Sequence, residues 1–154
     1  MNKASKRFPA VVLFVLMLGV IFASSSPAMD KMVAINRPEV NMRSGPGTNY
    51  KILWVLKRGY PLQVVDRKNK WYRVRDFEGD TGWVYASLTN REAHFVVKKE
   101  KVNLRSGPGT HYRIVAQAKR GVVFRTVKRV KGWVKVKHEN GITAWVARQL
   151  VWGW

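Results

Sequence analysis

Val40-Asn41-Met42-Arg43-Ser44-Gly45-Pro46-Gly47-Thr48-Asn49-Tyr50 returns as Val102-Asn103-Leu104-Arg105-Ser106-Gly107-Pro108-Gly109-Thr110-His111-Tyr112. From Val40 to Leu88 against Val102 to Leu150 the offset is sixty-two throughout with no gap, and 22 of 49 positions are identical. A short unit has been used twice. The duplication divides a chain of 154 residues into two units of about 60 residues each. Units that small bury only roughly 60% of their unfolded surface. Each needs a closed sheet or support from its neighbour, and the two are expected to touch.

The N-terminus reads differently. Lys3, Lys6 and Arg7 precede an apolar run from Val11 to Phe22, and Ser24-Ser25-Ser26-Pro27-Ala28 supplies small residues. This is the pattern of a secretory signal, expected to be cleaved after Ala28. An uncleaved anchor is the alternative, against which the run falls short of the about 20 apolar residues a spanning helix needs. The predicted organisation is residues 1–28 as signal peptide, 29–90 as the first domain and 91–154 as the second.

Removing residues 1–28 leaves 26 Lys and Arg against 9 acids, a net +17. The excess is uneven, at +5 over residues 32–95 and +12 from residue 96 onward. A field of that sign attracts anionic polymers and surfaces. The chain has no cysteine. That excludes a disulfide framework, thiol catalysis and cysteine-ligated zinc, so stability has to come from sheet closure and packing.

Short strand-like runs fill each copy. Met32 to Ile35 is the first, ended by the turn signal Asn36-Arg37-Pro38. Gly45, Pro46 and Gly47 predict a tight loop, the glycines permitting backbone conformations that other residues resist. Ile52 to Leu56 is continuously apolar, which predicts a strand buried on both faces or at a domain contact. Leu62 to Val65 is a further strand, followed by a charged turn over Asp66 to Lys70. Thr89 to Ala93 reads as a short connector between the copies, and Val151-Trp152-Gly153-Trp154 as an aromatic tail that packs on the fold.

Each copy closes with a hairpin. Trp71 to Arg75 and Thr81 to Tyr85 flank Glu78-Gly79; Trp133 to Lys137 and Thr143 to Ala147 flank Asn140-Gly141, a strong two-residue turn signal. With those pairs as the loops, Val74 faces Trp83, Tyr72 faces Tyr85, Val136 faces Trp145 and Val134 faces Ala147. Trp83 and Trp145 then belong to the core. Trp71, Arg73 and Arg75, and likewise Trp133, Lys135 and Lys137, form an outward stripe, with Ala144 and Val146 on that same outer side.

Many short strands, frequent turn signals and no helical period argue for small all-β barrels. The Asn-x-Arg-Ser-Gly-Pro-Gly-Thr-x-Tyr segment, the later Lys-Arg-Gly at 57–59 and 119–121, Trp71 or Trp133, and Gly-Trp-Val at 82–84 (Ala-Trp-Val at 144–146) together resemble the bacterial SH3-like (SH3b) domain. The resemblance covers both copies. It implies two tandem SH3-like half-open β-barrels of an exported bacterial protein, periplasmic or associated with the cell envelope, with a role in binding peptidoglycan. The Ala-Leu-Tyr-Asp-Tyr string of eukaryotic SH3 domains does not occur here, so binding to proline-rich peptides is not implied.

The glycine loop lacks the Gly-Lys-(Ser/Thr) ending and the helix of a phosphate loop. It is expected to shape the barrel, with Arg43 and Arg105 bracing it through carbonyls. The stripe of Trp71, Arg73, Arg75, Trp133, Lys135 and Lys137 is the candidate ligand site, since aromatic faces stack on sugar rings and cations pair with carboxylates or phosphates. No cofactor or metal is called for: His94, His111 and His138 have no ligand spacing. Asp76, Glu78 and Asp80 crowd one hairpin tip, and cleaving a glycosidic bond needs carboxylates held across a cleft. The expectation is therefore a non-catalytic binding module for peptidoglycan or another anionic envelope polymer. The alternative is a protein-interaction module of an envelope complex. Nucleic-acid binding is suggested by the charge and opposed by export.

Overall fold

The computed structural model describes residues 31–154; the predicted signal segment lies outside them. Fourteen strands form two seven-stranded sheets. In the first are β1 (Lys31–Ile35), β2 (Glu39–Arg43), β3 (Ile52–Lys57), β4 (Pro61–Lys68), β5 (Trp71–Arg75), β6 (Thr81–Tyr85) and β7 (Thr89–Asn90). The second holds β8 (His94–Val97), β9 (Lys101–Arg105), β10 (Ile114–Lys119), β11 (Val123–Val130), β12 (Trp133–Lys137), β13 (Thr143–Ala147) and β14 (Val151–Gly153). The order is β3-β2-β6-β5-β4-β1-β7 in one and β10-β9-β13-β12-β11-β8-β14 in the other. The topology is the same twice, antiparallel throughout, with a single 3-10 turn before each last strand. Among the described residues there is no α-helix.

Period-2 alternation places the core. In β2, Val40 and Met42 point inward while Asn41 and Arg43 remain half-exposed. Val33, Ile35, Leu62, Val64, Tyr72, Val74 and Val84 complete the first core. Phe95, Val102, Leu104, Phe124, Val134, Val136 and Val146 build the second. The C-terminal tail packs as expected: β14 pairs with β8, and the Trp154 amide donates to the His94 carbonyl at 3.1 Å.

Four local expectations change. The hairpin loops are longer by register, so Val74 faces Gly82, Tyr72 faces Val84, Val136 faces Ala144 and Val134 faces Val146. The backbone closes each loop one step earlier, through Asp76 N–H to the Asp80 carbonyl and His138 N–H to the Ile142 carbonyl. Because the side-chain period is two, that single step exchanges the faces. Val84, Val146 and Ala144 are therefore core, and Trp83 and Trp145 stand on the outer face, half-buried.

The Ile52–Leu56 run is not doubly buried. It forms an edge strand on which Ile52, Leu53, Trp54 and Val55 are exposed and Leu56 alone enters the core. Next, β4 runs through the predicted charged turn as far as Lys68, with a bulge between Val64 and Asp66. Finally, Gly45 is needed for space and not for a left-handed backbone. A Cβ there would lie 2.3 Å from the Tyr50 ring, and one on Gly107 2.4 Å from the Tyr112 ring. Each tyrosine closes its loop by lying on the glycine.

The barrels touch, as their size requires. Strand β4 packs against β8 and β14, and Arg120 bonds Glu78 across the junction.

Candidate functional site: a groove built twice

The outer face of each barrel carries a row of side chains in register. In the first, Arg43, Trp83, Arg73 and Asp66 follow one another across β2, β6, β5 and β4. In the second the same places hold Arg105, Trp145, Lys135 and Lys128. Asp66 offsets part of the positive charge in the first row, and Lys128 adds to it in the second. Lys135 Nζ lies 6.0 Å from the Trp145 ring centroid, within reach of a cation–π contact.

At the end of each row is a groove. In the first barrel, Asn41, Arg43, Thr48, Trp71, Tyr85 and Leu88 line a space of about 520 Å³. In the second, Asn103, Arg105, Thr110, Trp133, Ala147 and Leu150 line one of about 460 Å³. The two sets are superposable position for position at the sixty-two-residue offset. The repeated motif thus meets the hairpin tryptophan, although the two lie some thirty residues apart in sequence.

The arginines act within the loop as expected. Arg43 Nη1 donates to the carbonyls of Thr48 and Tyr50 at 3.0 and 2.9 Å; Arg105 Nη1 donates to those of Thr110 and Tyr112 at 2.9 and 2.7 Å. That bracing holds Thr48 and Thr110 at the groove wall. Trp71 is fixed by an edge-to-face contact with Tyr85, centroids 5.3 Å apart, a favoured aromatic geometry. Ala147 replaces Tyr85 in the second barrel, so Trp133 lacks this partner. The amide oxygen of Asn103 accepts from Gln117 Nε2 at 2.9 Å. Val55 stands in the corresponding place opposite Asn41, leaving that amide to the groove.

Of the predicted stripe, Trp71 and Trp133 are half-buried and line the grooves, while Arg73, Arg75 and Lys137 are exposed and Lys135 is half-buried on the same outer face. Reading the residues in order missed Trp83 and Trp145, through the register, and Asn41, Asn103, Thr48 and Thr110. The signal for the asparagines was present: both copies keep Asn at the same outward position of the strand that leads into the loop.

The acidic hairpin tip is structural. Asp76 is buried, and its Oδ1 accepts the amides of Glu78 and Asp80, both at 2.9 Å. Burial raises the Asp76 carboxyl pKa, against the lowering effect of the two amides. Burial also pushes the Tyr60 hydroxyl pKa up, with the Asp76 charge contributing next. Burial lowers the pKa of Arg148, whose guanidinium sits over Phe95 and donates to the Val151 and Gly153 carbonyls. The Asp76, Glu78 and Asp80 carboxylates lie within 4.8 Å of one another, and the Glu78 carboxylate is taken by Arg120 of the second barrel.

Two copies of one barrel topology, each with the motif loop folded under its tyrosine, define a tandem of SH3-like barrels. The family model of the bacterial SH3 domain matches at residues 36–90 and again at 98–153, and the chain belongs to that family. A Bacillus subtilis (strain 168) protein named for N-acetylmuramoyl-L-alanine amidase activity, YrvJ, is 26% identical over 98% of this chain and 31% of its own length. LytH of Staphylococcus epidermidis, named for cell wall amidase activity, is 34% identical over 32% of this chain and 17% of its own. The chain thus spans about a third or less of these relatives. Among solved structures, an NlpC/P60 family protein from Bacillus cereus is 14% identical, with a TM-score of 0.38 over 80% of this chain and 56% of that one. The structure titled "Endolysin LysPBC5 CBD" is 17% identical, with a TM-score of 0.33 over 84% of this chain and 97% of that one.

Proposed function

We propose that this chain is a non-catalytic, exported binding module that holds peptidoglycan, or a related anionic envelope polymer, in its two outer grooves. The observation that carries the reading is the repetition of the groove. Asn41, Arg43, Thr48 and Trp71 recur as Asn103, Arg105, Thr110 and Trp133, joining polar donors and an aromatic face on each barrel. Tryptophan offers a stacking surface for a sugar ring, and asparagine and threonine offer hydrogen bonds to its hydroxyls. Arg73, Arg75 and Lys135 on the same outer face supply charge for carboxylates. The relatives, one named for N-acetylmuramoyl-L-alanine amidase and one for cell wall amidase activity, support the same substrate class.

Cosedimentation of the purified protein with isolated sacculi at low and high salt tests this. Pelleting at low salt is expected, weakened by high salt and reduced on the order of tenfold in affinity by Trp71→Ala with Trp133→Ala. No pelleting at low salt rejects wall binding. Wild-type pelleting by that double variant rejects the grooves as the site.

A second reading, a protein-interaction module of an envelope complex, is favoured by one observation: β3 is a sheet edge with Leu53, Trp54 and Val55 exposed. Exposed edges pair with strands of other chains. On this reading, Leu53→Lys with Val55→Lys abolishes crosslinking to an envelope protein and leaves sacculus pelleting unchanged.

A further inference from the structure

A cleft of about 500 Å³ lies between the barrels, with Lys57, Arg58 and Gly59 on one side and His94, Arg125 and Lys137 on the other. His94, Arg125 and Lys137 are register partners on β8, β11 and β12. Their side chains therefore share one face of the sheet, in a row. The corresponding residues of the first barrel are Met32, Gln63 and Arg75, a row with one cation. The concentration of positive charge is special to the second barrel, on the side that meets the first.

Like charges directly opposite one another on neighbouring strands destabilise a sheet. Arg125 and Lys137 stand in that relation. Among the described residues, the ion pairs are Lys57 with Glu39 and Arg120 with Glu78. Arg58, Arg125 and Lys137 thus have no carboxylate within pairing distance, although Glu92 and Glu139 also line the cleft. His94 is buried, and its Nδ1 lies 2.9 Å from the Glu92 carbonyl. A carbonyl only accepts, so Nδ1 carries the proton and the Nε2 edge turns toward Gly59. The ring closes the base of the cleft.

We propose that this cleft is an oxyanion site, distinct from the outer grooves, which takes a carboxylate or phosphate group between Arg58 of the first barrel and the Arg125–Lys137 pair of the second. Guanidinium forks bind both groups through paired hydrogen bonds. An anion seated there relieves the repulsion within the second sheet and draws the barrels together. The site exists only in the tandem, because each barrel supplies one wall.

The test follows the ring resonances of His94, His138 and His111 in the full chain by NMR, at fixed pH and ionic strength, during titration with inorganic phosphate and, separately, succinate. The expected result is a saturable shift of His94 and His138, which line the cleft, with His111 unmoved. Arg58→Gln and Arg125→Gln each weaken binding on the order of tenfold, while their spectra report an intact fold. Tighter binding of phosphate identifies a phosphate-bearing ligand, and tighter binding of succinate a carboxylate-bearing one. No saturable shift with either anion overturns the proposal, as does unchanged affinity in both variants. Loss in Arg125→Gln with none in Arg58→Gln overturns the two-walled site. Sacculi are absent from the assay, so its outcome is independent of the groove reading.

Discussion

Arg120 of the second barrel reaches Glu78 of the first, with Nη2 and Nε at 2.6 and 3.2 Å from Oε1. The guanidinium lies 5.2 Å from the Phe77 ring centroid and also donates to the Lys98 carbonyl at 2.7 Å. The bond to Glu78 raises the pKa of Arg120. At the equivalent place in the first copy, Arg58 faces the cleft. One duplicated Lys-Arg-Gly turn therefore serves two ends, a ligand wall in one barrel and a tether in the other. Both members of the pair are well exposed, at 42% and 46%, so the bridge orients more than it stabilises. Arg120→Gln is expected to leave the melting temperature almost unchanged and to alter the relative orientation of the barrels, measured by residual dipolar couplings. Unaltered couplings would show that β4, β8 and β14 set the orientation unaided.

Asp76 makes stability depend on pH in an unusual direction for a carboxylate. Its pKa is raised by burial above the ordinary 3.8, so the native state holds the proton to higher pH than the unfolded state does. The contribution is fully stabilising below the unfolded pKa and is lost as pH rises through the folded one. Asp76→Asn keeps an oxygen for the Glu78 and Asp80 amides and removes the charge. It should flatten the stability profile just above pH 3.8 and match or exceed the wild type at neutral pH in urea denaturation. Asp76→Ala leaves two turn amides without their acceptor, and a loss of about 1–3 kcal/mol is expected. A steeper acid profile in the asparagine variant would contradict the assignment.

The duplicated turn glycines separate backbone strain from packing. Gly59 and Gly121 have similar left-handed φ values, +79° and +84°, which an L side chain rarely adopts. A Cβ on Gly121 meets nothing within 4 Å, whereas one on Gly59 lies 2.8 Å from the His94 ring. Gly121→Ala should cost about 1 kcal/mol, the backbone penalty alone. Gly59→Ala should cost more and shift the His94 ring resonances, since the ring has to move. Equal losses in denaturant titrations, with His94 undisturbed, would mean that the barrels part freely at this contact.

The fold was legible because the repeat is local information. The Gly45 to Tyr50 loop, the Arg43 bracing and the turn glycines are each specified by residues near one another in sequence, and each appears twice. The groove was half legible. Trp71 and Trp133 stood out from their basic neighbours, but their meeting with Asn41 and Asn103 depends on β2 pairing beside β6, a long-range relation that no local pattern encodes. The apolar β3 misled for a physical reason: hydrophobicity reports that a run avoids water in some context, and a sheet edge awaiting a partner strand resembles a buried strand. Asn140-Gly141 misled for another. The dipeptide marks a turn, yet the backbone closes it within a loop running from His138 to Ile142, which shifts the pairing by one residue.

That one-residue shift can be tested directly, because the two registers demand opposite behaviour from adjacent side chains. In the observed pairing Val146 is fully buried while Trp145 lies on the outer face above Lys135. Burying an unpaired ammonium costs several kcal/mol, of the same order as the stability of a small domain. Val146→Lys should therefore unfold the second barrel, seen as loss of amide dispersion in NMR spectra for residues after about 94, with the first barrel less affected. Trp145→Lys should retain the fold, losing only the aromatic surface and the cation–π contact, at a cost of about 1–2 kcal/mol. The alternative register, with Asn140-Gly141 as the whole loop, requires the reverse ranking. A folded Val146→Lys variant beside an unfolded Trp145→Lys variant would restore that register and return Trp145 to the core.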